Sequence, residues 1–96
     1  MFRKRESPVR RVTLIGKPGC HLCDDARGVI QGVLAGLEGT RGAPVVEFAE
    51  VNLLEDAELT AKYSEDIPVV LIDDEVHDFW RVDADRFRSA LTGAKR

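Results

Sequence analysis

No stretch of this sequence approaches the roughly 18 consecutive apolar residues that a membrane-spanning helix needs. The basic opening MFRKRESPVRR is also followed by no apolar segment of secretory-signal type. A cytoplasmic protein that does not enter membranes is therefore expected. Cysteine is scarce: Cys20 and Cys23 are the whole supply, too few for the disulfide framework of a small secreted domain. Histidine is equally scarce, so Cys20, Cys23, His21 and His77 are the only soft metal ligands in the chain. The middle of the sequence is poor in basic residues. Residues 12–94 carry 16 of the 17 acidic residues but only 7 of the 14 Lys and Arg. A nucleic-acid partner, which would need a clustered basic face, is not expected.

What is present suits one small globular domain: 96 residues, 44% of them hydrophobic, enough for a single modest core. Residues 1–10 form a basic arm, with Arg3, Lys4 and Arg5 ahead of Arg10, and are expected to be frayed and solvated beside the domain at 11–94. Arg11 belongs to the same basic group by composition. Within the domain, RVTLIG (11–16) is a β-branched run without alternation, as in a strand buried on both faces.

After the break at Lys17, Pro18 and Gly19, the residues Leu22, Ala26, Val29, Ile30, Val33, Leu34 and Leu37 recur at spacings of three and four, which predicts a long amphipathic helix. Gly28, Gly32 and Gly36 run beside that stripe, where either close helix packing or an exposed flank accounts for them. VVEFAEVN (45–52) reads as an edge strand and 55–63 as a short helix. IPVVLI (67–72) and Val76–Trp80 read as a hairpin turned by Asp73, Asp74 and Glu75. Asp83 is a good N-cap for a last helix carrying Phe87, Ala90 and Leu91. The order β-α-β-α-β-β-α predicts an α/β fold with a four-stranded mixed sheet and helices on both faces.

The chemistry concentrates in KPGCHLC (17–23). A cysteine pair between a buried strand and a helix N-terminus meets unpaired N–H groups and the positive end of the helix dipole, both of which favour a thiolate. Cys20 is the better-placed nucleophile. Cys23, one turn on, lies within reach of it for a disulfide and is the resolving thiol. Lys17 and His21 are candidates for lowering the Cys20 pKa, while Asp24 and Asp25 oppose it, so a moderate depression below about 8.5 is expected.

Two other readings use the same residues. A copper(I) or zinc carrier would bind through the two thiolates, with His21 close by and His77 more simply a surface strand residue. A redox-silent interaction module would use neither sulfur.

The strand RVTLIG, the loop KPGCHLC, the long helix and EDIPVVLID together resemble a glutaredoxin-like protein of the thioredoxin superfamily over about residues 11–92. The resemblance implies a thioredoxin-like (glutaredoxin-like) fold with strand order β2-β1-β3-β4, the first and last helices on one face and the middle helix on the other. It also implies a cis proline, Pro68, opposite Cys20. The backbone of Ile67 would then pair with an extended substrate.

The implied activity is thiol-disulfide exchange on protein or low-molecular-weight disulfides, without a bound cofactor. Glutathione, as co-substrate, or a thioredoxin-reductase-like enzyme would donate electrons. The family's C-P-Y-C is here Cys20-His21-Leu22-Cys23. Its Gly-Gly pair before the last helix, where glutathione approaches the backbone, is replaced by the bulk of Trp80, Arg81 and Val82. Lys17 and Asp85 match the family's glutathione-facing lysine and last-helix acidic residue, and Arg81 offers a carboxylate clamp.

Overall fold

The computed structural model describes residues 9–93. Arg3, Lys4 and Arg5 lie outside the described residues. The elements run β1 (Val9–Gly16), α1 (His21–Leu37), β2 (Val45–Asn52), a single 3-10 turn (Leu53–Glu55), α2 (Ala57–Tyr63), β3 (Val69–Ile72), β4 (Glu75–Phe79) and α3 (Ala84–Leu91). They build one four-stranded sheet in the order β2-β1-β3-β4, with β1 parallel to β2 and antiparallel to β3.

Because β1 is central, its residues alternate between two cores. Val12 and Leu14, with Val70 and Ile72 of β3, face α1 and α3 in a cluster that includes Ile30, Leu37, Phe87 and Leu91. Ile15 and Val69 point the other way, onto Leu53 and Tyr63 of the 3-10 turn and α2. The unalternating apolar run of the sequence is thus two alternating sets superposed. α1 buries Cys23, Ala26, Ile30, Val33 and Leu37, the inner part of its predicted stripe. Each fully buried Leu, Ile or Phe contributes about 1.5–3 kcal/mol, and α1 and α3 are held largely by this term.

Several expectations are corrected. β1 begins at Val9, so Arg10 is a strand residue rather than part of a solvated arm, and Arg11 is in the strand as expected. They have partners at the hairpin turn. Arg10 Nε donates to Asp73 (2.6 Å), the Arg11 N–H donates to the same carboxylate (2.9 Å), and Arg11 Nη1 lies 3.3 Å from Asp74. Arg10 Nη1 also donates to the Ala90 and Leu91 carbonyls at the end of α3.

The short helix splits, because the Asp56 carboxylate caps α2 by accepting from the Leu59 N–H and leaves Leu53–Glu55 as a separate turn. β3 starts at Val69, two residues late, since Pro68 has no N–H to give a ladder. β4 stops at Phe79 because Trp80 takes a left-handed backbone conformation, φ 65°. Of the two readings of the glycine stripe, the exposed flank holds at Gly28 and Gly32, where a Cβ would meet nothing within 4 Å among the described residues, while at Gly36 it would touch the Arg88 side chain of α3 at 3.8 Å. His77 is half-buried rather than a plain surface residue. The β3–β4 register passes from Asp78 to Val76 and skips His77, whose ring lies 5.8 Å from that of Phe87.

Candidate active site

The pairing of β1 with β3 assembles the site. Ile15 is opposite Val69, so the end of β1, where the cysteine loop departs, lies beside the entry to β3. Pro68 stands there, buried, with a cis Ile67–Pro68 bond. The Pro68 carbonyl accepts from the Trp80 N–H at 2.7 Å, which brings the β4–α3 connection to the same end of the sheet. Three segments distant in sequence converge: the loop 17–20 with the first turn of α1, residues 67–68 and residues 80–82.

Cys20 is the N-cap of α1, half-buried, in extended backbone conformation. Its Sγ accepts from the Cys23 N–H at 3.1 Å, one of the four amides that a helix start leaves without a backbone acceptor. Cys23 is 2% exposed. The two sulfurs are joined as a disulfide, with Cα atoms 5.2 Å apart. Cys20 is half-buried and sits on the helix terminus, while Cys23 is covered. That asymmetry is what a nucleophile and a resolving thiol require.

The other sequence-predicted residues are placed as follows. His21 opens α1 and is exposed, and Lys17 is exposed on the loop that precedes Cys20. The Ile67 side chain packs on the Ile15–Leu53–Tyr63–Val69 core, and its backbone lies outside the ladder, which starts at Val69. Arg81 is exposed and, with Trp80 and Val82, lines a groove of about 110 Å³ whose far wall is Leu22, Asp25 and Val29 of α1. The Trp80 indole N–H reaches toward the Glu65 carbonyl at 3.4 Å, spanning from the residue after β4 to the segment before Pro68. Asp85 is exposed in the first turn of α3. Among the described residues, no three His, Cys, Asp or Glu side chains are grouped to hold a metal ion.

Two features of the site were not found from sequence. Arg27, one turn beyond Cys23, is gripped by Glu50 of β2 (Nε to carboxylate, 2.7 Å) and by Asp24 (Nη1 to carboxylate, 2.9 Å). Hydrogen bonds donated by the guanidinium to Glu50, first, and to Asp24 hold it firmly in its charged form. The Asp24 carboxylate is thereby matched with a cation, which weakens the opposition to a Cys20 thiolate expected from it. The partner on β2 is set by tertiary structure and leaves no mark in local spacing.

The second feature is Gly16, the last residue of β1, which lies directly against Cys23. A glycine closing an apolar strand is a signal for close backbone approach, and the sequence carried it. A cleft of about 260 Å³ opens beside both features, lined in part by Gly16, Lys17, Cys23, Arg27 and Glu50.

A family model described as Glutaredoxin-like domain matches residues 11–92. No curated protein matches the sequence. Among solved structures, the structural-genomics target protein XcR50 from X. campestris is 30% identical, with 88% of this chain and 99% of that one covered and a TM-score of 0.66. Protein Ne2328 from Nitrosomonas europaea is 22% identical, covering 95% and 99% of the two chains at a TM-score of 0.63. Thioredoxin-2, a component of malaria parasite protein secretion machinery, is 12% identical and shares the fold over 94% of this chain and 96% of its own, TM-score 0.59.

Proposed function

The chain belongs to the glutaredoxin-like domain family, with a thioredoxin-like α/β fold, and on that premise we propose that it is a thiol-disulfide oxidoreductase of the cytoplasm. The observation that carries the reading is the asymmetry of the cysteine pair. Cys20 Sγ caps a helix and accepts an amide N–H, while Cys23 lies covered beneath it in disulfide contact.

In the reducing direction, the Cys20 thiolate attacks one sulfur of a substrate disulfide. The substrate S–S bond breaks, its far sulfur leaves as a thiolate, and a mixed disulfide forms on Cys20. The Cys23 thiolate then attacks Cys20 Sγ, forming the intramolecular disulfide and releasing the second substrate thiolate. Two electrons and two protons from an external thiol or a flavoenzyme reductase restore the dithiol. The helix terminus supports the Cys20 thiolate both as nucleophile and as leaving group. Lys17 and His21 are the polar neighbours of the attack, and the Ile67 backbone, outside the ladder, is the docking edge for an extended substrate.

The electron donor is argued from the β4–α3 connection. Trp80, Arg81 and Val82 fill the region in which family members present two glycines to glutathione. A donor that does not insert there, a protein reductase, therefore fits better. Arg81 remains available to a substrate carboxylate.

Replacement of Cys23 by serine is expected to trap mixed disulfides on Cys20, resolved by non-reducing electrophoresis and mass spectrometry, while Cys20→Ser traps none. The Cys20–Cys23 couple, equilibrated against glutathione and dithiothreitol, is expected between about −180 and −290 mV. A pair that forms no intramolecular disulfide at any poise, or a protein purified under reducing conditions with near-stoichiometric zinc or copper, would overturn the proposal.

A further inference from the structure

Eight glycines occur in the chain, and they divide by what a side chain would meet. Gly19, Gly39, Gly42 and Gly93 have φ near +80°, where the backbone itself calls for glycine. Gly28 and Gly32 face open space, and a Cβ at Gly36 would come no closer than 3.8 Å to Arg88. Gly16 alone is crowded. A Cβ there would stand 2.7 Å from Cys23 Sγ and 3.1 Å from Cys23 Cβ, with no other side chain or backbone atom so near. Its φ is not in the left-handed region, so conformational freedom does not explain it.

From this we infer that Gly16 is a positioning residue for the resolving thiol. The absence of a side chain at the end of β1 creates the seat in which Cys23 Sγ rests within bonding reach of Cys20. The inference deepens the exchange reading and rests on it.

The physical argument is one of clearance. Non-bonded heavy atoms settle at roughly 3.5–4.0 Å, so a methyl on residue 16 would have to drive Cys23 Sγ away by several tenths of an ångström. β1 is central: residues 12–15 are paired with β3 and Gly16 itself is paired with Asn52 of β2, which limits how far the strand can yield instead. α1 is pinned a turn further on by Ala26 and Ile30 in the core. The displacement falls on the sulfur, and disulfide geometry tolerates little of it before strain makes the bond more reducible. The step affected is the second one, in which Cys23 Sγ bonds to Cys20 Sγ and the substrate thiolate departs with the electron pair. The first attack, by Cys20, is left alone.

The test uses Gly16→Ala in the otherwise intact chain. At equilibrium with dithiothreitol the variant is expected to shift at least tenfold toward the dithiol, which for a two-electron couple is a rise of about 30 mV. Mixed disulfides on Cys20 are expected to persist even though Cys23 is present. An equilibrium constant within twofold of the parent's overturns the inference.

If Gly16→Ala does not fold, the same substitution is made in the Cys23→Ala background. Folding regained, or a destabilisation by residue 16 cut by more than half, supports a clash specific to Cys23; an undiminished penalty overturns it. Failure of the exchange reading itself shows separately, as absence of trapped adducts in Cys23→Ser.

Discussion

At the scale of single residues, the feature with the clearest solution consequence is His77. Its Nε2 is buried without a hydrogen-bond partner among the described residues, and burial, the largest influence, holds its pKa below the ordinary 6.5. The nearby Asp78 acts in the opposite sense and Arg86 in the same sense. The unfolded chain therefore takes up the proton first as pH falls. Stability contributed by neutral His77 is complete above about pH 6.5 and declines below it. His77→Leu, which removes the orphaned nitrogen while keeping contact with Phe87, is expected to be more stable at pH 5.5 by about 1 kcal/mol. It should also flatten the dependence of stability on pH between 5 and 7. Denaturant titrations of both proteins across that range give the comparison, and parallel slopes would remove His77 as the cause.

The residue scale is also where sequence reading stopped short. Cys20, Cys23 and Pro68 announce themselves through spacing and resemblance. The pairing of Asp24 with Arg27 is an i,i+3 contact that local spacing carries, whereas the Glu50 contact depends on which strand lies beside α1 and the skipping of His77 on how β4 pairs with β3.

At the scale of elements, the β3–β4 hairpin shows an acidic turn made workable by a neighbouring strand. Asp73 and Asp74 adopt φ of 53° and 71°, the pair of left-handed residues that a two-residue hairpin demands and that Asn-Gly or Asp-Gly usually supplies. Asp73 is compensated. Its carboxylate accepts from the Arg11 N–H and from Arg10, and these bonds lower its pKa below 3.8. The stability it contributes is present above that value and lost as pH falls through its lowered folded-state pKa.

Among the described residues Asp74 has only an exposed contact with Arg11, of a kind that contributes at most about 1 kcal/mol and often nothing measurable. Asp74→Gly is accordingly expected to raise the melting temperature, with relief of a left-handed backbone of about 1 kcal/mol outweighing the ion pair. Asp73→Ala is expected to lower it. Thermal unfolding of the two variants side by side decides the matter, and a fall in both would show the Asp74 pair to be the stronger term.

This same network explains why Arg10, a strand residue, reads in sequence as part of a basic arm. Arg10 and Arg11 are set among charges in sequence but opposite acidic residues more than 60 positions later in space. Only the strand register reveals that.

For the whole molecule, most of the architecture could be read in advance because the hydrophobic periods are clean. α1 declares itself by spacings of three and four, β1 by a run apolar on both faces, and α3 by Asp83 ahead of Phe87 and Leu91. Asp83 does cap α3, accepting from the Arg86 N–H at 2.9 Å. The order of strands was not in the periodicity; it entered through the family likeness. Boundaries slipped where local chemistry overrode pattern, at Pro68, Asp56 and Trp80.

The helical face of the sheet has one keystone side chain. Phe87, fully buried, joins α3 to the strands and to the ring of His77. Phe87→Ala is expected to cost about 3–5 kcal/mol, a large share of the stability of a domain this size, and to loosen α3 first. Hydrogen exchange should then show lost protection in Ala84–Leu91 ahead of α2, which packs on the opposite face. Equal loss on both faces would mean that the two cores unfold as one.

The left-handed turn at Trp80 carries a consequence of another kind. The chain holds one tryptophan, a residue 54% exposed that lines the groove it shares with Leu22, next to the cysteines. Tyr63, the sole tyrosine, is buried on the far side of the sheet. Light absorbed at the red edge of the aromatic band is thus emitted from the active end alone. The molecule carries its own fluorophore at the place where a docking substrate or a changing sulfur pair would alter its surroundings, and needs no attached label to make those events visible.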